Sequence, residues 1–122
     1  MNNKDILNEI NRLNLEDLIW VVFIILSAFN IYGDKLEKDY LKTNNQKYEK
    51  NANIVFEIVL IITFFIYIYF WQRNYKAYIS ARKEEKELLI IKLLGSSFLI
   101  AGIICLIYFQ SKNSGFIGTP AI

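Results

Sequence analysis

Glu57 and Lys92 are the first candidates for chemistry in this chain, because each stands inside a stretch that is otherwise apolar. A charge among apolar residues of membrane-spanning length is costly, so it is a functional candidate by default, for an ion, a proton, a partner or the headgroups. The chain has no histidine and a single cysteine, Cys105. That composition excludes His-based triads, Cys/His metal clusters and an intrachain disulfide. The carboxylates are scattered over polar flanks, so no nucleophile and base pair can be assembled. The chain is therefore expected not to be an enzyme, and to carry neither metal nor cofactor.

Three apolar runs must position these side chains: LIWVVFIILSAFNIY at 18–32, IVFEIVLIITFFIYIYFW at 54–71 and LLIIKLLGSSFLIAGIICLIYF at 88–109. Crossing about 30 Å of hydrocarbon takes about 20 mostly apolar helical residues, with a lower limit near 17. The second and third runs meet that limit; the first meets it by recruiting residues 15–17 or Gly33. Hydrophobic residues make up 54% of the 122 and aromatics 16%, more than a soluble domain of this size hides in one core. The expected fold is all-α: an integral membrane protein with three transmembrane helices at about 16–33, 53–71 and 88–109. Residues 1–110 form one membrane domain and 111–122 a flexible tail.

The flanks refine this picture. Residues 3–15 place Ile6, Leu7, Ile10 and Leu13 at helical spacing, which predicts an amphipathic interfacial helix before the first span. Asn14 and Asp17 then resemble a helix start. Gly33 and Asp34 end the first span, and from Asp34 to Leu94 there is neither glycine nor proline. Helices without such breakers run on past the lipid, so the connections are expected to be helical extensions around short turns. Thr43-Asn44-Asn45 is the best turn in the first connection, with Asn51 or Asn53 capping the second span. Ser80 is expected to cap the third helix.

Three spans place the N-terminal segment and the second connection on one side. Lys4, Arg12, Arg73, Lys76, Arg82, Lys83 and Lys86 lie there, against Lys35, Lys38, Lys42, Lys47, Lys50 and Lys112 opposite. Seven against six is a weak bias that leaves dual insertion open. All three arginines favour a cytoplasmic N-terminus, in a bacterial cytoplasmic membrane. The acidic N-terminal segment and the basic second connection are expected to pack together.

Within the runs, Glu57 lies one turn into the second span and Lys92 one turn into the third, in opposite leaflets. Their separation is on the order of 20 Å, beyond ion-pair reach. The bland reading of Lys92 is snorkelling to headgroups, and that of Glu57 is a favourable place near a helix N-terminus. The sharper reading converges Glu57, Asn30 and Tyr108 on one polar spot, with Thr63 at mid-depth. Aromatic anchoring accounts equally for Tyr108, and also for Trp20, Tyr67, Tyr69 and Trp71.

Packing signals concentrate in the third run. Ser97, Ala101 and Cys105 recur every four residues, and Gly95 and Gly102 lie seven apart; small residues at such spacing let helices approach closely. The connections mix both signs of charge and lack the one-sided basic patch of a nucleic-acid binder. Anionic headgroups are the expected company of Arg73, Arg82, Lys83, Lys86 and Lys92.

Two functions remain open. One is an accessory, regulatory or immunity-type subunit that associates with itself or with a membrane partner through its third helix. The other is a homo-oligomeric channel, small transporter or holin-like pore with Glu57, Asn30 and Thr63 near the pathway. The first is favoured because a water-lined route needs more polar lining than these runs supply.

Overall fold

The computed structural model of the chain describes residues 2–113, and these form three helices: α1 (Asn3–Thr43), α2 (Gln46–Ser80) and α3 (Lys83–Lys112). Among the described residues there is no strand. All three helices are long and apolar enough to cross a membrane. At about 1.5 Å per residue their 41, 35 and 30 residues make rods of roughly 62, 52 and 45 Å. Each exceeds the roughly 30 Å of a hydrocarbon layer, so helix continues beyond the apolar runs, as the missing breakers predict.

Local chemistry sets the ends. The Asn2 side chain accepts a hydrogen bond from the Asp5 backbone N–H at 2.8 Å, opening α1. Asn44 closes α1 in the left-handed region (φ 57, ψ 24), its N–H donating to Tyr40 O at 2.7 Å. Asparagine tolerates that conformation better than most residues. Asn45 then opens α2, its side chain accepting from Lys47 N–H at 3.0 Å. The turn expected at Thr43-Asn44-Asn45 is therefore two asparagines long.

Other expected ends move. Asn14 is not a helix start, because α1 runs through it unbroken; between Asn3 and Thr43 there is no proline to stop it and Gly33 is the one glycine. Ile6, Leu7, Ile10 and Leu13 accordingly lie on the opening turns of a long helix, and all four are exposed. Asn51 and Asn53 lie inside α2, whose cap is Asn45. Ser80 ends α2, donating to Lys76 O at 2.8 Å. Arg82 flanks α3 without a side-chain cap, and Glu84 and Glu85 occupy its first turn. Of the 111–122 tail, 114–122 lie outside the described residues; Ser111 and Lys112 belong to α3 and Asn113 caps it.

The helices pack antiparallel in chain order, with α2 in the middle. Among the described residues no Cα of α1 comes within 8 Å of one in α3. The compact part of the α1–α2 seam is Leu36, Ala52 and Phe56, with Tyr48 and Val55 against it. Gly33, inside α1, provides the recess for the Phe56 ring. Leu60 and Ile103 are buried along the α2–α3 side. Large apolar side chains elsewhere face outward: Ile24, Ile31, Phe98 and Leu88 are each 70% exposed or more. An exterior this apolar is unsuited to water and suited to lipid tails, consistent with a multi-pass membrane protein.

Candidate functional site

A chain of polar side chains crosses all three helices at one end of the apolar layer. Glu16 of α1 is only 8% exposed. Its carboxylate accepts from Arg73 Nη1 at 2.5 Å and from Arg12 Nη1 at 3.4 Å. Arg12 also pairs with Glu9. Arg73 Nη2 donates to Asn74 Oδ1 at 3.2 Å, and Asn74 Nδ2 to Ser96 Oγ at 2.5 Å. The Ser96 hydroxyl in turn donates to Lys92 O at 3.2 Å. The Arg73 guanidinium also lies over the Phe70 ring, 5.0 Å from its centroid.

Such a network satisfies groups that would otherwise be stranded in a medium of low dielectric. The hydrogen bond to Glu9 raises the pKa of Arg12 above its ordinary value against the opposing effect of burial, with Glu16 adding to the rise. Arg12 is therefore held as a cation beside the carboxylate that it shares with Arg73.

Because α1 and α3 stand apart, a groove runs between them along α2. Its head, about 710 Å³, is bounded by Glu16, Arg73, Asn74, Lys92 and Ser96 above and by Trp20, Phe70, Gly95 and Leu99 below. The Trp20 and Phe70 rings are 6.0 Å apart. Phe23, Tyr67 and Leu99 continue it into a deeper segment of about 300 Å³, where Ser27, Asn30, Thr63 and Gly102 contribute. The Ser27 and Thr63 hydroxyls donate to the carbonyls of Phe23 and Val59, one turn back, at 3.0 and 2.8 Å. Neither adds a free donor to the groove.

A second polar clamp joins α2 and α3 at the opposite end. Buried Gln110 donates from Nε2 to Asn53 Oδ1 at 3.3 Å, while its Oε1 has no partner among the described residues. Between the two clamps, Trp71 Nε1 donates to Ser97 Oγ at 2.9 Å.

The sequence candidates fall into separate settings. Asn30 and Thr63 share the deeper groove. Glu57 is exposed on a surface of α2 alone, beside Lys50 and Asn53. Tyr108 is 66% exposed, with the Lys112 ammonium 5.9 Å from its ring centroid. Asn30, Glu57 and Tyr108 thus stand apart rather than around one cavity. Glu57 lies near the Asn53–Gln110 clamp and Lys92 near the Asn74–Ser96 clamp, at opposite ends of the α2–α3 pair.

The small residues of α3 divide as well. Ser96, Ile103 and Gln110, seven apart, are its buried residues. Gly95 and Gly102 face the groove, and a Cβ on either would meet nothing within 4 Å. Ala101 and Cys105 are exposed. Of the basic residues read as headgroup contacts, Arg73 is engaged by Glu16 and Asn74, Arg82 pairs with Glu85 at 2.8 Å, and Lys86 lies 5.3 Å from the Tyr78 centroid. Lys83 and Lys92 are exposed. Residues 3–15 reach the second connection through Arg12, which shares Glu16 with Arg73.

Glu16, Asn74, Ser96 and Gln110 were not singled out from sequence. Three of them sit at the ends of apolar runs, where polar residues ordinarily mean only the water boundary. The signal that finds Asn74, Ser96 and Gln110 is a repeat of seven: Asn53, Leu60, Tyr67 and Asn74 on α2 against Ser96, Ile103 and Gln110 on α3; Glu16 on α1 lies outside it. Comparison of the chain with protein-family models, with curated proteins and with solved structures gave no match in any of the three.

Proposed function

We propose that the chain is a three-span membrane subunit, its N-terminus cytoplasmic, that works by helix association as an accessory, regulatory or immunity-type protein. The observation that carries this reading is the division of labour on α3. Its contact with α2 uses Ser96, Ile103 and Gln110 together with Ser97, which accepts from Trp71, and this leaves Ala101 and Cys105 exposed at close-packing spacing. In lipid such a face is a means of association, since hydrophobicity does not distinguish a helix from its solvent.

A channel built from several copies has less support. The hydroxyls of Ser27 and Thr63 are taken up by their own helix, and Glu57 lies outside the groove that holds Asn30. Among the described residues no single surface presents the run of free polar groups that a water path requires.

The test uses the exposed positions. Ala101→Leu is expected to reduce oligomer size or co-purification of a partner while helical content stays unchanged, and bismaleimide cross-linking through Cys105 is expected to trap neighbours. Unchanged association with no Cys105 cross-link would reject the reading. Reporter fusions at the two ends are expected in opposite compartments. Current across liposomes containing the purified chain alone, lost in Glu57→Gln, would favour the channel.

A further inference from the structure

We propose that the head of the groove binds one anionic phospholipid, its phosphate on the Lys92 ammonium and one acyl chain lying over Gly95, Leu99 and Gly102. This rests on the reading of the three helices as membrane spans and is independent of the outer face of α3.

Charge comes first. Three side chains of acidic or basic type bound the head of the groove: Glu16, Arg73 and Lys92. Glu16 is committed to Arg73 and shared with Arg12, so no negative charge is left over for Lys92. Among the described residues the Lys92 ammonium has no ion-pair partner, and it is exposed at the groove mouth. An unanswered cation at that place attracts an anion, and anionic headgroups supply one at a membrane surface.

Shape decides what the anion is attached to. Below Lys92 the walls are Trp20, Phe23, Phe70, Gly95 and Leu99, an apolar lining with one charged end. That pattern matches an amphiphile with an anionic head and a hydrocarbon tail. The two glycines keep the α3 wall low, since a Cβ at either position would point into open space. A helix about 10 Å across needs roughly 400 Å³ per turn, more than the 300 Å³ of the whole deeper segment. A single acyl chain is thin enough to pass from the head, about 710 Å³, into this narrower segment, where a helical turn is not.

Trp20 lines the head of the groove, and so reports on it. In the Trp71→Phe chain in detergent micelles, phosphatidylglycerol brominated on one acyl chain is expected to quench Trp20 saturably, at about fivefold lower concentration than brominated phosphatidylcholine, as loss of one lysine–headgroup contact implies. Lys92→Gln is expected to erase the difference. Gly95→Leu is expected to abolish saturable quenching without loss of helicity.

Native mass spectrometry of the unaltered chain supplies the second measurement, with one phosphatidylglycerol retained in preference to phosphatidylcholine. Equal affinity for the two lipids, or a preference that survives Lys92→Gln, overturns the site, as does a second copy found cross-linked in the groove. Reporter fusions separate the two failures: a chain that inserts yet does not discriminate loses the lipid site alone.

Discussion

The Phe56 ring lies so close to Gly33 that a Cβ on the glycine would come within 2.5 Å of Cε1 and 2.8 Å of Cζ. Close backbone approach and dispersion hold α1 and α2 together at this point, and both are forces that do not depend on hydrophobic contrast with the surroundings. Gly33 is therefore a packing residue in the interior of α1.

Gly33→Ala is accordingly expected to destabilise the chain by roughly 1–3 kcal/mol, the usual range for overpacking. Gly33→Leu should cost more. Unfolding in mixed micelles measures both. The change should be partly relieved by Phe56→Leu, and additivity of the two substitutions would deny the contact.

Breaking the Glu16–Arg73 pair should be worse than removing any other polar contact among the described residues. Glu16 and Arg73 side chains are only 11% and 21% exposed, so Arg73→Met strands a carboxylate and Glu16→Gln leaves a cation short of charge. Each is expected to cost roughly 3 kcal/mol. Asn74→Ala, by comparison, should cost about 0.6 kcal/mol, the typical value of a polar contact between helices in a membrane. Replacing both members of the ion pair with apolar residues of similar size should recover much of the loss, as measured by the same unfolding transitions.

Glu37 gives stability a dependence on pH. Burial raises its pKa above the ordinary value of 4.5, and Asp34, one turn earlier, raises it further. The folded state then holds this proton at a pH where the unfolded state has released it. The resulting contribution is complete below the ordinary carboxylate value and is lost as the pH rises through the folded one. Glu37→Gln is expected to raise the melting temperature near pH 7 and to make no difference near pH 4. An equal effect at both would rule out the carboxylate as the cause.

Much of the molecule is written locally. The run lengths, the absence of breakers between Asp34 and Leu94, and the asparagine pair at 44 and 45 determine three long helices and the first turn, because helix length and turn conformation depend on neighbours a few residues away. The Glu16–Arg73 pair places the N-terminal segment and the second connection at one end of the three helices.

The faces were decided only by the tertiary structure. In helices apolar on every side, hydrophobicity marks no face as inner, so the choice falls to shape and to polar pairing across long separations. Glu16 finds Arg73 57 residues away and Asn74 finds Ser96 22 residues away. Those pairings turn Gly95 and Gly102 toward a groove, leave Ala101 and Cys105 outside, and set Glu57 apart from Asn30. Sequence spacing sets the position of each of these residues along its helix, and packing chooses the direction in which it looks.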